Sequence, residues 1–193
     1  GMANAAVLGG ELQLSDSTLS EALPSAEYGG GVGLFALDFR QPSRVVLENV
    51  TFANTVGPGL YLRGQGSFEV RDSTFANCGD VRGTPGGVFA TEGVAAWVAG
   101  EDEAPGTGLL LSGNTFTGMG LDGILLDGAG ATLAGNSFSD VGGEPLFVQR
   151  CGDAGLPVDV EAQTGVDASC RAEARVVESL LLYSAYVSDV LTQ

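Results

Sequence analysis

Five stretches of this chain repeat one eight-residue pattern, and that repetition limits the fold more than any other feature. They are Leu12-Gln-Leu-Ser-Asp-Ser-Thr-Leu19, Val45-Val-Leu-Glu-Asn-Val-Thr-Phe52, Phe68-Glu-Val-Arg-Asp-Ser-Thr-Phe75, Leu109-Leu-Leu-Ser-Gly-Asn-Thr-Phe116 and Ala131-Thr-Leu-Ala-Gly-Asn-Ser-Phe138. Each reads apolar, any residue, apolar, two polar or small residues, a small or amide residue, Thr or Ser, then Leu or Phe. The first three positions alternate with the period of two that a half-buried strand requires. The undecorated period is 23 residues from Phe52 to Phe75 and 22 from Phe116 to Phe138.

A second strand family lies between these segments: Leu34-Phe-Ala-Leu37, Leu60-Tyr-Leu-Arg63, Ala96-Trp-Val-Ala99, Ile124-Leu-Leu-Asp127 and Leu146-Phe-Val-Gln149. Nine residues separate Phe52 from Tyr61, Phe116 from Leu125 and Phe138 from Phe147. Two columns in one register, joined by Gly-rich corners with no helical period, fit a parallel β-helix. One coil alone cannot bury its inward side chains, whereas stacked coils give each residue an equivalent neighbour about 4.8 Å above and below. Leu14, Leu47, Val70, Leu111 and Leu133 are expected to form one inward ladder. Leu19, Phe52, Phe75, Phe116 and Phe138 are expected to form another. Asn114 and Asn136 fall two residues before the aromatic, where stacked amides can bond to each other and to turn backbone. Ser17, Val50 and Ser73 fill that column elsewhere. A leucine-rich repeat would need a helical return, and a β-sandwich would not demand equivalent columns at this period.

The pattern resembles the repeats of the pectate-lyase-like superfamily, in which Gly-Ile-x-Leu strands alternate with Asn-x-Phe or Asn-x-Ile segments. Gly123-Ile-Leu-Leu126 and Asn136-Ser-Phe138 are the nearest copies, and the resemblance covers roughly residues 5 to 150. It speaks to the scaffold, since that repeat carries no active-site signature. The expected fold is therefore all-β: a single-stranded, right-handed parallel β-helix of about five coils over residues 3–150. Residues 151–193 are expected to form a disulfide-tied loop and a C-terminal capping segment.

Within that last region, Val176, Leu180, Tyr183, Val187 and Val190 recur at spacings of three and four. This suits an amphipathic helix that closes the end or lies along one flank; the β-branched and Tyr content leaves a strand open. At the other end the first repeat begins almost at once, behind a Gly1-Met2 that reads as a tag remnant. Solenoid ends need caps, so the natural protein is expected to continue upstream or to meet another chain there. Cys151 and Cys170 bracket a loop rich in Gly, Pro and Asp. Proteins of the family that this repeat resembles are usually exported, which favours a disulfide over two reduced thiols. Cys78 is then a small buried residue at a corner. The expected location is extracellular or in the cell envelope.

Charge narrows the function classes. Among 193 residues, 24 are acidic and eight basic, all eight being Arg, for a net charge of −16. Nucleic acids and anionic membranes need clustered positive charge, so neither is an expected partner. No run approaches 18 apolar residues, so no membrane span is expected either. With His absent, the commonest general base and transition-metal ligand are missing.

The coils are unequally decorated, with long insertions before Phe35 and before Trp97, and at 38–44 and 100–108. Insertions collect on binding faces. The middle residues of the second strand family, Phe35, Tyr61, Trp97, Leu125 and Phe147, should point outward in one line. Such a row either stacks on sugar rings or is covered by loops or the C-terminal segment. Two residues further along come Leu37, Arg63, Ala99, Asp127 and Gln149. In the enzymes that this repeat resembles, an arginine removes the proton beside a uronic acid and acidic residues hold Ca²⁺. The resemblance thus implies Arg63 as base, with Asp127, Asp122 or Asp38 as Ca²⁺ ligands. A calcium site wants several convergent oxygens, and no motif fixes them. No acidic pair falls in one clear column for glycosidase chemistry, and Glu101-Asp102-Glu103 reads as a solvated loop.

Catalytic residue types are scarce. The expected function is therefore a non-catalytic secreted or cell-envelope module, a fragment of a longer protein that recognises a polysaccharide or a surface protein. A polysaccharide lyase, epimerase or hydrolase built on Arg63 and Asp127 is one alternative. A purely structural segment of a surface protein is the other.

Overall fold

A computed structural model of the chain describes residues 3–25, 29–38, 41–79, 86–91, 93–100, 106–151, 158–161 and 166–171. The alternation read from the sequence becomes the rungs of a parallel β-helix. The first coil holds β1 (Ala3–Leu8), β2 (Gly10–Ser15) and β3 (Thr18–Ser20), followed by a small antiparallel ribbon of β4 (Pro24–Ser25) and β5 (Gly29–Gly30). The second holds β6 (Val32–Leu37), β7 (Ser43–Glu48) and β8 (Thr51–Thr55), and the third β9 (Leu60–Arg63), β10 (Ser67–Arg71) and β11 (Thr74–Cys78). The fourth is β12 (Val88–Ala90), β13 (Gly108–Ser112) and β14 (Thr115–Met119), and the fifth β15 (Ile124–Asp127), β16 (Ala131–Ala134) and β17 (Ser137–Val141). Then come β18 (Leu146–Gln149), β19 (Val158–Glu161) and β20 (Cys170–Arg171). Three sheets result, in the orders β1-β6-β9-β12-β15-β18-β20, β2-β7-β10-β13-β16-β19 and β3-β8-β11-β14-β17, and every pairing within them is parallel.

Both expected ladders hold their register. Leu14, Leu47, Val70, Leu111 and Leu133 are successive partners, and Val160 adds a rung where the sequence pattern has faded. Leu19, Phe52, Phe75, Phe116 and Phe138 are likewise partners. The four phenyl rings stack face to face at centroid spacings of 4.8, 4.8 and 4.9 Å, with planes within 9° of parallel. That spacing is the interstrand distance itself, so the backbone sets the ring separation and each inner ring loses all contact with water.

The corner between the second and third sheets explains the polar pair in the repeat. Asp16, Asn49 and Asp72 take φ of 48°, 53° and 48°, and Gly113 and Gly135 take 66° and 62° in the same column. Only Gly, Asn and Asp visit this left-handed region readily. The next column is the amide ladder. Asn114, fully buried, accepts from the Ser73 N–H at 2.9 Å and donates to the Val70 carbonyl at 3.0 Å. Asn136 accepts from the Asn114 N–H at 3.0 Å and donates to the Leu111 carbonyl at 2.9 Å. Ser73 continues the ladder by accepting the Val50 N–H at 3.0 Å. Turn backbone that would otherwise be buried unpaired is thereby satisfied.

Cys151 and Cys170 form a disulfide. It ties the residue just past β18 to β20, its neighbour in the seven-stranded sheet. Cys78 is a free, buried thiol. The expected C-terminal helix, Val176 to Val190, and the Glu101-Asp102-Glu103 run lie outside the described residues. Among those described, no helix is long and apolar enough to cross a membrane.

Candidate functional site

The outward row of the seven-stranded sheet differs from the sequence expectation in one member. Tyr61 pairs across to Phe89, and Phe89 to Leu125, so Phe89 holds the place assigned to Trp97. The segment around Trp97 is instead part of the long excursion between β12 and β13. Ala96 bridges Leu109, Val98 bridges Thr107, and the Trp97 N–H donates to Thr132 Oγ1 at 3.2 Å. Ala96-Trp-Val-Ala99 alternates well and carries an aromatic, whereas β12 is only three residues long.

The signal that identifies β12 is a glycine column. Gly33, Gly59, Gly87 and Gly123 each stand two residues before a member of the row. A Cβ at these positions would lie 2.8, 2.7, 2.5 and 2.9 Å from Cδ1 of Phe52, Phe75, Phe116 and Phe138 respectively. Real Cβ atoms do not approach a ring so closely. The phenyl stack therefore demands glycine there, and Gly87-Val-Phe89 carries the rung.

The row itself is buried. Phe35, Tyr61, Phe89, Leu125 and Phe147 are 0–6% exposed and form, with Val32, an apolar cluster separate from the solenoid interior. Phe35 and Tyr61 stack at 4.9 Å, and Tyr61 meets Phe89 edge-on at 5.1 Å. Phe35 and Tyr61 are therefore buried in this structure, as the covered reading of the row expects.

The polar column two residues on is open only at Leu37 and Arg63, which are half-buried, whereas Thr91, Asp127 and Gln149 are buried. Leu37 and Arg63 are register partners, Thr91 follows on the next rung after Ala90, and Asp127 is one rung beyond that. Arg63 and Asp127 are thus two interstrand steps apart, about 9.6 Å. Asp127 is buried and held by a two-pronged ion pair with Arg150. Asp122 is fully buried at the other end of β15, ~16 Å of extended chain from Asp127, and accepts the Glu144 N–H at 2.9 Å. Asp38 follows β6 and braces the corner: Oδ1 accepts the Ser43 N–H at 2.7 Å and Oδ2 the Gln65 N–H at 2.5 Å. Asp38, Asp122 and Asp127 do not converge, and among the described residues no three acidic or Cys side chains cluster to hold a metal ion.

What the structure does bring together is Arg63 and Asp38. They line a rim cavity of about 520 Å³ with Leu37, Gln41, Pro42 and Gln65, within the size range of small-ligand pockets. Sequence reasoning placed Arg63 on this face but overlooked Gln41 and Gln65, which belong to corners and to neither strand column. A second cavity, of about 400 Å³, lies over Asn54, Asn77 and Cys78. Burial pushes the Cys78 thiol above its ordinary pKa, so it is a poor nucleophile there.

No protein-family model, curated protein or solved structure matches this chain, so the fold stands on strand register and the site on geometry alone.

Proposed function

We propose that this chain is a non-catalytic β-helix module that acts in an extracellular or cell-envelope setting and recognises glycan through the rim cavity around Arg63. One observation carries the reading: the acidic groups that chemistry on this face would use are already engaged. Asp127 is paired with Arg150, Asp122 accepts a turn N–H, and both oxygens of Asp38 hold backbone. Proton transfer needs a positioned acid or base free to change partners, and among the described residues the carboxylate that lines the cavity beside Arg63, Asp38, is clamped by backbone. The Cys151–Cys170 disulfide suits an oxidising compartment, and the repeat supports kinship with the pectate-lyase-like β-helices.

A lyase remains the competing reading because Arg63 and Asp38 share one open cavity. Incubating the protein with neutral and uronate polysaccharides, with and without Ca²⁺, separates the two. Recognition predicts retention on a glycan array and no new reducing ends or unsaturated products. Turnover of any polymer that Arg63→Ala abolishes would sink the non-catalytic assignment.

A further inference from the structure

Arginine usage in this chain is uneven. Four of the five described arginines are in ion pairs: Arg44 with Glu11, Arg71 with Glu69, Arg150 with Asp127, and Arg171 with Glu144 and Asp167. Arg63 is the exception among the described residues, and it makes no side-chain hydrogen bond either. In a protein of net charge −16, a half-buried arginine left without a carboxylate partner is unusual, and its five donors stay available to a ligand. Its place in the fold is the rim cavity, where Leu37, Asp38, Gln41 and Gln65 surround it.

The cavity is built before any ligand arrives. Asp38 is clamped between the backbone of two coils, with bonds of 2.7 and 2.5 Å to Ser43 and Gln65. Gly64 has φ of +113°, and a side chain there would collide with the Asp38 carboxylate. The Asp38 N–H in turn donates to the Arg63 carbonyl at 3.2 Å. Donor and acceptor are therefore fixed by adjacent rungs. Each Asp38 oxygen keeps a lone pair for a further donor, and the Arg63 guanidinium keeps all five of its N–H groups.

We propose that this cavity binds an uncharged, hydroxyl-rich ligand, a neutral sugar residue of a polysaccharide, with Arg63 donating to one hydroxyl and Asp38 accepting from its neighbour. This deepens the recognition reading and rests on it. The choice of a neutral sugar follows from charge. Arg63 and Asp38 cancel locally, so the cavity offers no net positive field, and the remainder of the molecule repels polyanions. A cationic ligand would face the guanidinium. Vicinal hydroxyls, each both donor and acceptor, match a fixed donor beside a fixed acceptor, and the Gln41 and Gln65 amides extend the same bipolar pattern.

The test is calorimetric titration of the full chain with neutral hexasaccharides (cello-, xylo- and malto-oligosaccharides) and with hexagalacturonate, at low and at 0.5 M salt. Arg63→Ala and Gln41→Ala are run beside the wild type, with circular dichroism confirming that each folds. The expected result is binding of a neutral hexamer, little changed by salt, and weakened at least tenfold by Arg63→Ala and severalfold by Gln41→Ala. Binding of hexagalacturonate alone would overturn the neutral assignment and leave glycan recognition standing. Neutral binding unaffected by both substitutions would overturn the cavity and again leave recognition standing. No binding in any arm overturns this inference and the glycan-recognition reading together.

Discussion

Replacing Phe75 with Ala probes the solenoid at the point where its geometry is most demanding. Phe75 is fully buried between Phe52 and Phe116, with ring centroids 4.8 Å away on both sides and interplanar angles of 7° and 4°. Truncation of a buried aromatic costs about 3–5 kcal/mol. Two features place Phe75 at the upper end. Both stacked faces are lost, each worth about 0.5–1.5 kcal/mol, and the flanking rings are held by their own rungs and cannot close the void. Phe138 is the contrast, being half-buried with one stacked neighbour among the described rings. Phe138→Ala should therefore cost roughly half as much, about 2 kcal/mol on the same scale. Urea unfolding followed by far-ultraviolet circular dichroism measures both, with the midpoint converted at constant slope. Phe75→Leu should recover most of the loss. Equal losses at the two positions, or a loss below about 1 kcal/mol at Phe75, would refute the stack.

Three further perturbations address other links of the argument. Reducing the Cys151–Cys170 disulfide, which spans 19 residues, should cost about 3 kcal/mol in the chain-entropy model, read as a reductant-dependent fall in the urea midpoint that a Cys151→Ser/Cys170→Ser variant no longer shows. Asn114→Ala strands the Ser73 N–H and the Val70 carbonyl in a dry interior and should destabilise by about 2–4 kcal/mol, whereas Asn136→Ala, half-buried nearer the end, should cost less on the same unfolding curve. Burial raises the Cys78 pKa above 9.0, so its contribution to stability is constant below that value and is lost as pH rises through the raised one; Cys78→Ala should flatten that alkaline decline, and the native thiol should resist a disulfide-exchange dye until the protein unfolds.

The interior was legible in the sequence because stacking imposes one constraint repeatedly. Phe52, Phe75, Phe116 and Phe138 obey the same register, so each occurrence confirms the others. The amide column was legible for a related reason, since Asn114, Asn136 and Ser73 all serve a corner whose backbone groups recur on every rung. The fourth coil escaped because β12 is short and its insertion unlike its neighbours', so Trp97 was the more conspicuous aromatic and Phe89 the correct one. Steric exclusion by the phenyl stack marks that rung through Gly87, a signal of absence that hydrophobic periodicity does not detect. Burial of the outer row was one of two open readings, because alternation gives the direction of a side chain and not what lies over it. The rim cavity was half legible. Arg63 falls on a strand whose outward face is predictable, whereas Gln41 and Gln65 sit at corners whose path depends on insertions.

Rung spacing also decides what this face can do chemically, and that can be turned into a test. Functional groups in one column are about 4.8 Å apart per step. Arg63 has Leu37 on one adjacent rung and Thr91 on the other, while the nearest acidic residue in its column, Asp127, is two steps away and paired with Arg150. The guanidinium is unpaired because neither adjacent rung carries a carboxylate in its own column, and the carboxylate of Asp38, one residue past Leu37, is held by the Ser43 and Gln65 N–H groups. Leu37→Glu would place one there, one step from Arg63, and should give Arg63 the same kind of partner that the other four described arginines have. The proposed glycan binding should then fall at least tenfold although Arg63 is unchanged. Leu37→Gln, which makes the same loss of apolar packing against the outer row without adding charge, should retain most of the affinity. If both substitutions leave binding intact, or both abolish it equally, an unpaired Arg63 is not what the ligand uses, and the link from rung spacing to recognition is broken.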